Sequence, residues 1–199
     1  MDNYKKALQV FKGNGGILRA AQARRLQVHS ETLSLMKNRG VLEQIGKGLY
    51  RLADMPPLSQ PDIITVALKI PQGVLCLISA LAFHEITTQI PHEVTVALRS
   101  GAEKPRIAYP PTRYVWLSDA AYNSGIEVHE VDGVKIRVYS PEKTVTDCFK
   151  FRNKIGLDVA IEALKLYRSK KHSSIEDLLK YATINRVAKV MKPYLESII

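Results

Sequence analysis

The segment that decides the fold of the N-terminal quarter is VLEQIGKGLYRL, residues 41–52. Its two strand-like runs are joined by Gly46-Lys47-Gly48, and flanking glycines permit the tight reversal of a β-hairpin. The preceding segment VHSETLSLMKNRG, residues 28–40, predicts a helix that buries Leu33 and Met36 and ends at a glycine. A helix followed at once by a hairpin with a lysine at its tip indicates a winged helix-turn-helix.

Two helices are expected before that segment. The first is predicted by three apolar side chains at helical spacing, Tyr4, Leu8 and Phe11. It is expected to end at the glycine-rich residues 13–16. Residues 17–27, ILRAAQARRLQ, are rich in alanine and predict a second helix, with Leu26 anchored on its inner face. Ser30 follows a tight turn and is expected to cap the third helix.

The charge of the chain is concentrated in the same region. The 199 residues carry a formal net charge of +10, and residues 1–54 hold ten Lys or Arg against four Asp or Glu, a net charge of +6. A basic balance favours nucleic acid as partner, then an anionic membrane surface; a merely solubilising surface is the alternative. The concentration of charge beside the predicted helix-turn-helix favours DNA.

The third helix is the candidate for the major groove, and Lys47 at the tip of the wing can reach a phosphate. Winged helices also serve as protein–protein modules, and that alternative stays open. The candidate DNA-binding residues are Arg19, Arg24, Arg25, His29, Ser30, Ser34, Lys37, Asn38, Arg39, Lys47 and Arg51.

Several motifs together resemble the AbiEi antitoxins of bacterial abortive-infection systems. The first is the run Thr-Leu-x-x-Met-x-x-Arg-Gly, residues 32–40, followed by a wing that ends in Gly-x-Tyr-x-Leu, residues 48–52. The segment CLISALAFHEIT, residues 76–87, and the segment from Val138 to Leu164 that begins VYSPEKTVTD are similar to later parts of that family. Leu35 departs from the family pattern, in which a basic or polar residue is common.

The resemblance implies an autorepressor that binds double-stranded promoter DNA, at inverted repeats, and neutralises a nucleotidyltransferase toxin encoded beside it. It also implies that an antitoxin site lies at the start of a late helix, with Ser140, Glu142, Lys143, Thr144 and Asp147 as its candidates. From the residues alone, Ser140 caps this helix and Pro141 fits its first turn. The competing interpretation is therefore a well-capped helix whose polar residues face water.

The fold class expected is α+β in two domains: a winged helix-turn-helix at residues 1–54, a proline-rich linker at 55–61 and a C-terminal domain at 62–199. In the last, residues 74–86 are expected to form a buried helix. Alternating runs around Asp132-Gly133 predict a hairpin within an antiparallel sheet. Further helices complete the chain.

Other classes of protein are less well supported. No segment reaches the ~20 apolar residues of a membrane span, and residues 1–13 do not resemble a signal peptide. Cys76 and Cys148 are expected to be reduced thiols in the core. Together these features favour a cytoplasmic protein. His84 lacks metal-binding spacing, so neither metal nor cofactor is expected. The chain is not expected to be an enzyme, because Asp119, Asp132, Asp147 and Asp158 lie on different elements.

Two alternatives come from other classes of function. One is a ligand-sensing winged-helix transcriptional regulator, which a deep apolar pocket in the C-terminal domain would favour. The other is a nucleotide-handling enzyme, which a cluster of carboxylates would favour.

Overall fold

A computed structural model describes residues 2–197 of the chain. It is a mixed α/β structure with one sheet of three strands and one of five. Packing divides the chain into two compact units: the first runs to Lys69 and takes in Glu130–Ile136, and the second comprises Ile70–His129 and the chain from Arg137 onward. The functional boundaries at residues 54 and 61 remain a prediction, because compactness does not say which segment binds a partner.

The first unit begins with the predicted helices and hairpin. Its elements are α1 (Asp2–Gly13), β1 (Ile17–Arg19), α2 (Ala20–Arg25), α3 (Ser30–Asn38), β2 (Leu42–Gly46) and β3 (Leu49–Leu52). The strands pair in the antiparallel order β1-β3-β2. This arrangement is consistent with a winged helix-turn-helix.

The core of this segment confirms the predicted helical spacing on α1 and α3. Phe11, Leu33 and Met36 are all buried and pack in one apolar cluster. Gly40 and Gly48 both have a φ of +70°, the left-handed conformation that glycine adopts without strain, at the end of α3 and in the turn of the hairpin.

Three details of the sequence prediction are wrong. Residues 17–19 are a strand rather than the start of a helix, because they pair with β3. Leu26 is 40% exposed: α2 ends before it, Gln27 reverses the chain at a φ of +64°, and Val28 fills the core instead. Ser30 already lies in α3, and the preceding His29 is the cap residue, without a side-chain hydrogen bond.

Helix α4 (Pro61–Lys69) still belongs to the first unit. The elements after it lie mostly in the second unit: β4 (Val74–Leu75), α5 (Leu77–Phe83), β5 (Val94–Arg99), β6 (Thr112–Leu117), α6 (Asp119–Asn123), β7 (Ile126–Val131), β8 (Val134–Tyr139), α7 (Pro141–Lys150), α8 (Arg152–Ile155), α9 (Leu157–Ser169), α10 (Ile175–Ile184) and α11 (Ala188–Glu196). The tip of the β7–β8 hairpin belongs to the first unit, where Val134 and Ile136 pack with Ile17 and Ile64.

The five-stranded sheet has the order β6-β5-β4-β8-β7 and is mixed, so the predicted antiparallel sheet is wrong. β4 pairs antiparallel with β5 but parallel with β8, and β5 pairs parallel with β6. The predicted helix at residues 74–86 is correspondingly shorter, because Val74 and Leu75 are drawn into the sheet. The hairpin at Asp132-Gly133 is confirmed, with φ values of +50° and +78° at its two central residues.

The helices after β8 enclose the core of the second unit. Tyr139, Val145, Phe149 and Leu164 are completely buried in one apolar cluster. Cys76 and Cys148 lie in the same cluster as free, buried thiols, as expected from the sequence. Burial raises the pKa of both thiols well above its ordinary value.

Candidate nucleic-acid interface and the buried cluster of α7

The outer face of α3, the preceding α2 and the wing present most of the predicted DNA-binding residues to solvent. The exposed ones are Arg24, Arg25, His29, Ser30, Ser34, Lys37, Asn38, Arg39 and Lys47. Helix α3 buries Leu33 and Met36 on its opposite side, so its polar side chains share the face that is left free.

Arg51 does not belong to that surface. It is 5% exposed, and its Nη1 lies 2.5 Å from Oε1 of Glu43, its cross-strand neighbour on β2. Its Nη2 donates to the carbonyl of Pro56. The guanidinium is therefore bound inside the first unit, which disfavours the predicted contact of Arg51 with DNA.

Arg19 holds an intermediate position. Its side chain is half-buried, partial burial lowers the pKa of its guanidinium, and its Nη2 has no hydrogen-bond partner among residues 2–197. Its backbone N–H donates to Oε1 of Gln22 at 3.1 Å, which fixes the start of α2. Because this nitrogen is buried, Arg19 lies at the margin of the exposed surface rather than within it.

One hydrogen bond joins the helix to the wing. Lys37 Nζ on α3 donates to Oε1 of Gln44 on β2 at 2.8 Å. Arg39, at the end of the helix, lies 5.8 Å above the ring of Tyr4 on α1. These contacts fix two cations beside the polar face of α3.

The second candidate site is at the start of α7. Ser140 Oγ accepts from the backbone N–H of Lys143 at 3.3 Å, so the predicted cap is confirmed. The interpretation that the polar residues of this helix face water is wrong: Lys143, Thr144 and Asp147 are at most 1% exposed.

The charged pair at the centre of this helix is closed on itself. Lys143 Nζ lies 2.6 Å from both carboxylate oxygens of Asp147 and 4.2 Å from the centre of the Tyr139 ring. Asn185, just after α10, donates from Nδ2 to Asp147 Oδ1 at 2.8 Å and to Thr146 Oγ1 at 2.9 Å. Burial raises the pKa of Asp147, and the neighbouring ammonium opposes that shift.

The other predicted residues of this site also make internal bonds. Thr144 Oγ1 donates to the carbonyl of Tyr139 at 3.1 Å, and half-buried Glu142 accepts from the hydroxyl of Tyr167 at 2.8 Å. The five candidates therefore lie on one helix turn or the next, but their polar groups bind elements of the same unit. These internal bonds fix the first turns of α7 within the second unit.

Asn185 is the member of this cluster that the sequence analysis missed. It is 3% exposed, and its Oδ1 is buried without a hydrogen-bond partner in the described part of the chain. Nothing in the local sequence marks it, because its partners lie 38 and 39 residues earlier.

His84 is a structural hydrogen-bond donor. Its Nε2 lies 2.7 Å from the carbonyl of Tyr139, and its ring meets Phe83 and His129 edge-on. Burial lowers the pKa of His84, which favours the neutral ring with its proton on Nε2. Within residues 2–197 there is no group of three or more His, Cys, Asp or Glu side chains that could hold a metal ion.

The helix–hairpin segment, residues 5–53, matches the AbiEi antitoxin family of transcriptional regulators. The predicted resemblance is confirmed for this segment, which ends with β3. The AbiEi family is one of regulators rather than enzymes.

One solved structure is similar to this chain over most of its length. The crystal structure of the RV2827C protein from Mycobacterium tuberculosis aligns with 96% of this chain and 81% of its own, at a TM-score of 0.52 and 13% sequence identity. At that identity the likeness shows the fold alone. No curated protein matches the chain at a significant level, and no helix in the described residues is long and apolar enough to cross a membrane.

Two features of the second unit bear on the alternatives to an AbiEi-type regulator. A groove of about 400 Å³ is lined by Ile78, Arg113 and Ile90, and Ile90 is 80% exposed at its rim. This groove lies at the surface and is not the deep apolar pocket of a ligand sensor. Asp119 and Asp147 each pair with a basic residue of their own, Arg99 and Lys143, as structural ion pairs do.

Proposed function

We propose that the chain is a DNA-binding antitoxin that represses its own promoter through the helix–hairpin segment at residues 1–54. The observation that supports this most is the exposed polar face of α3 beside the exposed cations of α2 and the wing, in the segment that matches the AbiEi regulators. Phosphate contacts from Arg24, Arg25 and Lys47 supply much of the affinity, and α3 enters the major groove.

The DNA partner is a double-stranded promoter with inverted repeats, and the protein acts in the cytoplasm. The experiment is footprinting of the full chain on the DNA upstream of its own reading frame. The proposal expects protection of two similar half-sites and loss of protection in Arg24→Gln/Arg25→Gln. Binding of equal strength to any duplex would reduce the proposal to a nonspecific DNA-binding protein.

The second part of the proposal is neutralisation of a nucleotidyltransferase toxin by the second unit, as the AbiEi resemblance implies. Ser140, Glu142, Lys143, Thr144 and Asp147 then act by holding α7 in place, since their polar groups are bound internally. Neutralisation by direct contact with these buried groups would require the unit to open.

Co-expression with the nucleotidyltransferase from the adjacent reading frame tests this part. Arg24→Gln/Arg25→Gln should lose promoter repression and keep toxin rescue. The double variant Lys143→Met/Asp147→Leu replaces the buried ion pair by apolar side chains of similar size and should keep both activities. Loss of rescue in a double variant that remains folded would instead identify the charged pair as a functional site.

A further inference from the structure

A large apolar side chain stands among the polar ones on the outer face of α3. Leu35 is 43% exposed, although Leu33 and Met36 on the same helix are 3% and 0% exposed. The helix therefore has its core anchors without Leu35, and packing within the first unit does not require an apolar residue at that position.

Leu35 is a surface neighbour of Asn38. Residues three apart on a helix lie side by side, and Asn38 is exposed as well. The two side chains form a short continuous surface with branched methyl groups next to a carboxamide. Lys37, by contrast, is held toward the wing by its bond to Gln44.

This combination matches one kind of base pair. In the major groove a thymine displays its C5-methyl group, and its paired adenine displays the N7 acceptor and the N6 donor. A carboxamide can bond both adenine atoms, and an apolar side chain can pack on the thymine methyl. A guanine–cytosine pair lacks the methyl group, and its purine presents O6, an acceptor, where adenine presents the N6 donor.

We propose that Leu35 and Asn38 determine the base specificity of α3, Leu35 by packing on a thymine C5-methyl group and Asn38 by bonding N6 and N7 of adenine. The assignment rests on the proposed DNA binding and specifies what the helix recognises: adenine–thymine pairs. The cations around them, among them Arg24, Arg25 and Lys47, hold the helix against the phosphates without selecting a sequence.

The surroundings of Leu35 favour a duplex over an apolar protein partner. Exposed Lys37 and Arg39 follow it on the helix, and exposed Arg24 and Arg25 precede it in the chain. An exposed leucine on a helix that also carries exposed Lys37 and Arg39 complements a groove that is anionic at its walls and bears methyl groups on its floor.

The experiment removes single groups from the DNA. The full chain is titrated against its own upstream duplex, against the same duplex with deoxyuridine for every thymine, and against one with 7-deazaadenine for every adenine. Loss of the methyl groups should weaken the natural protein about fourfold per contacted thymine, the effect of one buried carbon group. Loss of N7 should weaken it about tenfold per contacted adenine.

The variants then assign each effect to a side chain. Leu35→Ala should bind the thymine and deoxyuridine duplexes equally, and Leu35→Met should retain the preference for thymine. Asn38→Ala should lose the discrimination against 7-deazaadenine and keep the response to deoxyuridine. The matched control Lys47→Gln should weaken binding to all three duplexes by the same factor.

Each outcome decides for or against the assignment. If natural protein and Leu35→Ala respond alike to deoxyuridine, or if neither responds, the role of Leu35 is wrong; the same logic applies to Asn38 and 7-deazaadenine. Absence of binding to the natural duplex by the unaltered chain would overturn the proposed DNA-binding function itself, and with it this inference.

Discussion

Lys143 Nζ lies 2.6 Å from each carboxylate oxygen of Asp147, and neither side chain is more than 1% exposed. The pair is separated by one turn of α7, so a single helix supplies both charges. Asn185 binds the carboxylate from the end of α10. The pair therefore ties two helices of the second unit together.

Removing one partner should destabilise the second unit strongly. Asp147→Ala leaves the Lys143 ammonium buried without a counterion, which typically costs about 3–5 kcal/mol. Urea unfolding can be followed by the fluorescence of Trp116, the single tryptophan of the chain, which lies in this unit. Lys143→Met/Asp147→Leu should recover most of the loss.

A matched control exists on α11. Lys192 and Glu196 have the same spacing along a helix, at 3.7 Å, but their side chains are 73% and 63% exposed. Glu196→Ala should change the free energy of unfolding by about 0.5 kcal/mol or less. An Asp147→Ala variant as stable as Glu196→Ala would contradict the structural role of the buried pair.

His84 should make the second unit sensitive to mild acid. Burial lowers the pKa of His84 from its ordinary 6.5 and His129 acts in the same direction, whereas the bond to the Tyr139 carbonyl and the charges of Glu127 and Glu142 act against it. The unfolded chain takes up the proton near pH 6.5, whereas the folded chain resists until a lower pH. The contribution to stability is thus full above pH 6.5 and is lost as the pH falls toward the lowered pKa.

The test for His84 is the free energy of unfolding measured from pH 8 to pH 5. His84→Gln, which can still donate to the Tyr139 carbonyl, should flatten the decline. His172→Gln, which alters an exposed ring, should leave it unchanged. An identical decline in all three proteins would show that other groups produce it.

Arg51 should contribute to the stability of the first unit, whereas Lys47 should not. Arg51→Met removes the bonds to Glu43 and to the Pro56 carbonyl, so it should lower the free energy of unfolding by about 1–3 kcal/mol. Lys47→Met removes an exposed charge at the tip of the wing and should leave stability within about 0.5 kcal/mol. Thermal melting of the two variants, compared with the unaltered chain, gives the answer; equal midpoints would mean that Arg51 is not a structural residue.

The helix–hairpin segment was predictable because its signals are local. Gly40 and Gly48 adopt the expected left-handed conformation, and Leu33 and Met36 lie at the spacing of one helix face. Strand β1 was not predictable in this way, since its partner β3 follows about thirty residues later and overrides the helical propensity of its neighbours.

The second unit departs further from its prediction for the same physical reason. Val74 and Leu75 form a strand of only two residues, and they do so because β5 and β8 pair with them on either side. The charged side chains of α7 would be expected at the surface. They are buried because Lys143, Asp147 and Asn185 satisfy one another's hydrogen-bonding groups. Such pairings depend on residues distant in sequence.

The measurement that tests the central claim most directly is the salt dependence of binding to the chain's own upstream DNA. If Arg24, Arg25 and Lys47 contact phosphates, the variant Arg24→Gln/Arg25→Gln/Lys47→Gln should reduce the slope of log K against log salt by about 0.9 for each lost contact. Lys104→Gln/Arg106→Gln, which removes two exposed cations from the second unit, should preserve the slope. Equal slopes for the unaltered chain and the triple variant would contradict the assignment of DNA binding to the helix–hairpin segment.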